Sequence, residues 1–287
     1  MSSRFVATSA LLALSASLSM GCGTKVTLTV KGYTSDPTFA VNSYLISGDQ
    51  DAILVDGQFS RADAEKVVAM VKESKKTLRS IFVTHAHPDH YLGLDIIASA
   101  FPSVPIQATK EVVADFQAKG PAALASAKTN FGAANIADKL ATLTPIDGDT
   151  LSLEGTDLRI VKYTDGESAT SAALYGADQK LLVAGDLVYN RAYLWLAECK
   201  LDAWTKNLQA LRSLGPIETV YPGHGAPEGT PAAIDEDIQY LGAAADIFRT
   251  TASADAAIAQ LKQKFAYTGG GLLDYSTKIY FSTCKQP

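Results

Sequence analysis

The chain has 287 residues, with 25 Lys and Arg against 30 Asp and Glu, a formal charge of −5. Hydrophobic residues make up 47% and charged residues 19%, which excludes a disordered chain and leaves enough apolar side chain for a sizeable core. A mildly acidic chain without a long Lys/Arg run argues against nucleic acid as a partner, and three cysteines without a CxxC spacing argue against a disulfide scaffold or a thiolate metal site.

Residues 1–22 read as a targeting segment. Arg4 is its single charge, and an apolar, Ser-rich run follows, short for a membrane-spanning helix of about 20 residues. The run ends in Ser19-Met20-Gly21-Cys22 and resembles a bacterial lipoprotein signal, which implies cleavage before Cys22 and a lipid on that cysteine. An ordinary secretory signal is the alternative, and both imply export to the cell envelope, periplasm or exterior. Membrane contact is then expected only through the lipid anchor. In an oxidising compartment Cys199 and Cys284 either pair or stay as separate buried thiols.

Residues 23–287 read as one domain. Strands are expected at 26–30, 39–46 and 52–55, then a helix at 61–74 with Ala62, Val67, Val68 and Val71 on its apolar side. A short buried strand at 81–83, a helix at 92–100 and a strand at 105–108 follow. Residues 110–130 read as helical, broken or kinked by Gly120-Pro121. Strands return at 149–153, 158–163, 171–175 and 181–184, then a helix at 202–214 and a strand at 219–221. Residues 232–265 read as one or two helices with a break at 250–253. Strand-and-helix blocks thus occur twice, which points to an α/β fold of two stacked mixed sheets with helices outside, an αββα sandwich. Composition alone leaves a doubly wound sheet open.

All four histidines fall at expected strand ends. His85, His87 and His90 share Thr84-His85-Ala86-His87-Pro88-Asp89-His90, directly after a buried strand. Three imidazoles and a carboxylate within six residues make a poor core segment, because each polar group needs a partner. Imidazole is the commonest metal ligand, and carboxylate adds charge neutralisation. Leu181-Leu182-Val183-Ala184-Gly185-Asp186 delivers a carboxylate at a strand end, and Tyr221-Pro222-Gly223-His224-Gly225 delivers the last histidine.

On these residues the chain resembles the metallo-β-lactamase-fold hydrolase superfamily. The HxHxDH signature stands as His85, His87, Asp89 and His90, with the later Gly-Asp carboxylate at Asp186 and the last histidine at His224; Asp56 also fits the family order. The resemblance covers residues 26–225. It implies an αββα sandwich with the site at one edge between the sheets. It also implies two metal ions per chain, His85 and His87 on the first, Asp89, His90 and His224 on the second, and Asp186 between them. Zinc is the expected metal, with iron or manganese as alternatives.

One family histidine is missing, because none lies between His90 and His224. In its expected place stands Thr164-Asp165-Gly166-Glu167-Ser168. Glu167 is the foremost candidate to replace it, and Asp165 the next. Asp89 is also the candidate catalytic group, orienting a water and carrying a proton. Tyr91, Tyr189, Tyr193 and Trp195 either line the pocket or pack the core. The expected function is metal-dependent hydrolysis of an ester, lactone, thioester or β-lactam type bond in a small-molecule substrate. An iron-dependent oxidoreductase and a non-catalytic metal-binding envelope protein are the alternatives. The fold hosts many chemistries and does not choose among them.

Overall fold

The computed structural model describes residues 26–285. The targeting segment and Cys22 lie outside the described residues. Six strands form the first sheet, in chain and spatial order: β1 (Thr29–Thr34), β2 (Asn42–Ser47), β3 (Asp51–Val55), β4 (Thr77–Phe82), β5 (Ile106–Ala108) and β6 (Thr144–Pro145). The first two pairings are antiparallel and the rest parallel. The second sheet holds β7 (Thr150–Leu153), β8 (Thr156–Thr164), β9 (Thr170–Gly176), β10 (Leu181–Asn190) and β11 (Thr219–Gly225) in the order β11-β10-β9-β8-β7. All its pairings are antiparallel except β10 with β11.

Helices α1 (Arg61–Ser74), α2 (Pro88–Tyr91), α3 (Leu94–Ala100) and α4 (Lys110–Phe131) belong to the first half of the chain. Helices α5 (Leu201–Arg212), α6 (Ala232–Thr250), α7 (Ala254–Lys264) and α8 (Gly270–Ile279) belong to the second, and α8 runs into a π-helical turn at Tyr280–Cys284. The period-2 alternation of the strands builds three apolar layers. Ile53 and Val55 of β3 meet Leu181 and Val183 of β10 between the sheets. Ala52 and Leu54 instead face α1 and α3, while Leu182 and Ala184 face α5 and α6. This is the expected αββα sandwich.

Helix α1 keeps its expected bounds because Ser60 caps it, accepting from Asp63 N at 3.1 Å. Its buried face is Ala64, Val67, Met70 and Val71, whose spacing leaves Ala62 exposed. Helix α4 runs unbroken through Pro121, correcting the expected break. The expected helix at 92–100 begins at Leu94 as α3, after Gly93, and a separate single turn, α2, precedes it.

The sheets are joined at the edge where their strands end. Ala172 N donates to Thr84 O at 2.8 Å, and Gly225 N donates to Ala40 O at 2.9 Å. These contacts bring the loop after β4 and the end of β11 to one place. No helix among the described residues is long and apolar enough to cross a membrane.

Candidate metal centre

Asp56 follows β3 in the left-handed region, φ 62°, and organises the motif loop. Its carboxylate accepts from Thr84 N, Thr84 Oγ1 and His90 Nδ1, each at 2.8 Å. The single turn of α2, opened by Pro88, carries His90 back toward His85. From the second sheet, β10 shifts register between Val183 and Tyr189, and Asp186 projects from that bulge. Gly223 on β11 makes room for it: a Cβ there would lie 1.8 Å from Asp186 Oδ1. Glu167 comes from the turn between β8 and β9, closed by Asp165 N to Ala169 O at 3.1 Å.

These side chains converge on two clusters, His85, His87, Glu167 and Asp186 in one and Asp89, His90 and His224 in the other. His85 Nε2 lies 3.6 Å from Glu167 Oε2 and 3.7 Å from Asp186 Oδ2. His87 Nδ1 lies 2.9 Å from Glu167 Oε1. In the second cluster His224 Nε2 is 3.2 Å from Asp89 Oδ2, and His90 Nε2 is 3.8 Å from it. Asp186 lies between the groups, with Oδ1 3.0 Å from His90 Nε2 and Oδ2 3.0 Å from His224 Nε2.

The donors fit metal ions. Nε2 of His85 and His90, both oxygens of Glu167 and Oδ1 of Asp186 are buried and meet only other charged or ionisable groups of the site. Buried polar atoms left so are costly, and a shared cation satisfies them together. Donors about 2.0–2.2 Å from a tetrahedral zinc stand roughly 3.3–3.6 Å apart, close to the spacings seen. The outer ring nitrogens set the tautomers. Thr84 Oγ1 donates to Asp56 and therefore accepts from His85 Nδ1–H, at 3.0 Å. His90 Nδ1 donates to Asp56, and His224 Nδ1 to Phe39 O at 2.7 Å. In the neutral ring all three would thus present a bare Nε2 to the interior.

Without metal, protons balance the charge. Burial pushes Glu167 up to about 7, against the pull of His87. Burial opposes charge on His224 too, but Asp186 holds it up at about 10. Glu167 likewise raises His87 and Asp186 raises His90, whereas burial drives His85 well below the usual imidazole range. Burial also opposes charge on Asp89, but His90 and then His224 hold its carboxyl below the usual range.

The structure brings every motif residue to this edge, Glu167 included. Asp165 does not join them; it is exposed and pairs with Lys200 at 3.2 Å. Of the candidate lining aromatics, Tyr91 packs on Phe116 and Tyr193 is buried in the core, so neither lines the site. Tyr189 is buried but touches the site, donating to Asp186 Oδ2 at 3.0 Å and stacking on His224 with ring centroids 4.8 Å apart. Trp195 faces the His87 ring edge-on at 6.2 Å. An aromatic wall not read from the sequence leads away from His224: Phe39 stacks on Phe59 at 5.2 Å, and both meet Phe131, which is 46% exposed. These phenylalanines are far apart in the chain, so only the fold unites them.

Comparison with known proteins agrees with this geometry. Residues 36–224 match the family described as the metallo-beta-lactamase superfamily. An atrochrysone carboxyl ACP thioesterase of Aspergillus fumigatus is 24% identical over 64% of this chain and 50% of its own length. A hydroxyacylglutathione hydrolase of Actinobacillus pleuropneumoniae is 23% identical over 63% of this chain and 64% of its own. This chain therefore spans about half to two thirds of these relatives. A metallo-beta-lactamase family protein from Thermus thermophilus shares the fold, with a TM-score of 0.62 at 20% identity over 89% of this chain and 93% of that one. The match runs from the loop before β2 to the last histidine of the site, and on that extent the chain belongs to the metallo-β-lactamase superfamily.

Proposed function

We propose that the protein is an exported metal-dependent hydrolase that cleaves an acyl bond, with thioesters the first substrate class to test. The observation that carries this reading is Asp186, set between two clusters of converging imidazoles and carboxylates, most of them buried. His85, His87 and Glu167 on one side and Asp89, His90 and His224 on the other, with Asp186, would hold a pair of divalent ions, which would supply Lewis acidity and a nucleophilic water near neutral pH. Zinc is the proposed metal.

The chain's own residues do the rest. Asp89 is the proposed catalytic carboxylate: it is part-exposed at the site, stays ionised beside His90 and His224, and takes the proton of the attacking water. The same carboxyl returns that proton to the leaving group. Tyr189 and the bulge of β10 hold Asp186 in one orientation, and Asp56 holds His90. The Phe39, Phe59 and Phe131 wall suits an apolar acyl group beside His224. The thioester preference draws on two relatives, one named a thioesterase and the other a hydroxyacylglutathione hydrolase.

Export is supported by the Cys199–Cys284 disulfide, a bond that persists in oxidising compartments. A cell-envelope location through lipid on Cys22 rests on residues 1–22. One observation favours a second reading: Glu167 makes the first cluster rich in oxygen donors, which raises the standing of iron and of an oxidoreductase. A panel of thioester, ester, lactone and β-lactam substrates on zinc-loaded and iron-loaded protein separates them. Zinc-dependent thioester hydrolysis lost in Asp89→Asn is the expected result. Tight iron without hydrolysis favours the oxidoreductase, and metal with neither chemistry leaves a binding protein.

A further inference from the structure

Three of the four histidines have the outer ring nitrogen held, by Thr84, Asp56 and the Phe39 carbonyl. His87 is turned the other way. Its Nδ1 faces inward to Glu167 at 2.9 Å, and its outward Nε2 lies 3.6 Å from Glu198 Oε1. It is also the most exposed of the four, with 21% of its side chain accessible. We propose that Glu198 is a positioning residue for His87, and that the Cys199–Cys284 disulfide holds the segment that carries it against the first cluster.

The geometry of residues 195–200 supports this. Trp195 lies between the His87 ring, at 6.2 Å, and Tyr275 of α8, at 5.8 Å. Glu198 faces His87, and Lys200 pairs with Asp165, two residues before Glu167. Cys199, between those two, takes a left-handed φ of 63° and is bonded to Cys284 at the end of the π-helical turn, with Cα atoms 5.4 Å apart. One short segment thus reaches His87 and the turn that carries Glu167, two of the three residues that the first cluster does not share with the second. A carboxylate accepting from Nε2–H leaves the Nδ1 lone pair to a metal and fixes the ring plane. Outer partners of this kind are worth about 10–100-fold in metal affinity.

The inference rests on the metal-centre reading, and cobalt(II) tests both. Titration of metal-free protein, followed by the cobalt absorption bands and the hyperfine-shifted Nε2–H proton resonance of His87, resolves the two sites. Wild type is expected to bind two ions and show a His87 resonance slow to exchange with solvent. Glu198→Ala should weaken one ion by about 10–100-fold, leave the other unchanged and lose that resonance to exchange. Glu198→Gln, which still offers an oxygen, should recover most of the affinity. The Cys199→Ser/Cys284→Ser double variant should shift the same ion in the same direction. Equal affinity and an unchanged resonance in both Glu198 variants overturn the inference while the metal reading stands. A wild-type chain that takes up no cobalt overturns both.

Discussion

Replacing Glu167 by Gln removes one charge at nearly constant shape from a side chain with no exposed surface. In the metal-free protein burial raises this carboxyl from 4.5 to about 7. A raised folded-state pKa means that the stability it contributes is fully present below about 4.5 and is lost as pH rises through about 7. At about 1.4 kcal/mol per pH unit, ionising Glu167 costs the metal-free fold up to roughly 3 kcal/mol by pH 8. The stability difference between metal-free wild type and Glu167→Gln should therefore move by up to that amount between pH 5 and pH 8, in favour of the variant. For a chain this long that is about 5–10 °C in Tm. Metal reverses the order. The ion uses the charge that burial penalises, so loading should raise the wild-type Tm at pH 8 well above that of the variant. Differential scanning fluorimetry of chelator-treated and metal-loaded samples at both pH values reads all four states. A Tm difference that ignores pH, together with equal gains on loading, would refute the reasoning.

Asp186→Ala should lose more metal than His87→Ala, because Asp186 touches both clusters, and both should abolish hydrolysis; full metal occupancy in the Asp186 variant, read by mass spectrometry of the metals, contradicts its placement. Metal uptake near pH 7 should release protons, since His87, His90 and His224 are held protonated without it; affinity should fall as pH drops, and calorimetry in buffers of different ionisation enthalpy measures the protons displaced. Cys22→Ala should lose lipid labelling and leave the membrane fraction, and a wild-type chain with an unmodified Cys22 rules out the anchor.

Much of the sandwich was legible because buried strands and amphipathic helices leave different periods in a sequence, and Ile53, Val55, Ala52 and Leu54 show why. Where local signals misled, packing outweighed them. Pro121 costs a helix about 3 kcal/mol, yet Val112, Val113, Phe116 and Ala127 are buried along α4 on both sides of it. Helix α8 was not read from the sequence: it opens on glycines, which are weak helix formers. The candidate ligands were legible because imidazoles and carboxylates at strand ends are rare without a function, and Glu167 because it stands where a family histidine is absent. Their supports were not. Glu198 follows Asp186 by twelve positions in a segment with no pattern, and only the disulfide and the placement of α8 bring it to His87. The aromatic wall likewise joins a loop, the residue before α1's cap and the end of α4.

The proposed centre holds two ions in these clusters, with Glu167 completing the first. Diffraction from crystals of the metal-loaded protein, recorded at the metal's absorption edge, tests this most directly. It should show two anomalous peaks per chain, one within about 2.0–2.2 Å of donors from His85, His87 and Glu167 and the other similarly close to Asp89, His90 and His224, with Asp186 reaching both. A single peak, or a Glu167 carboxylate turned away from the first ion, would contradict it.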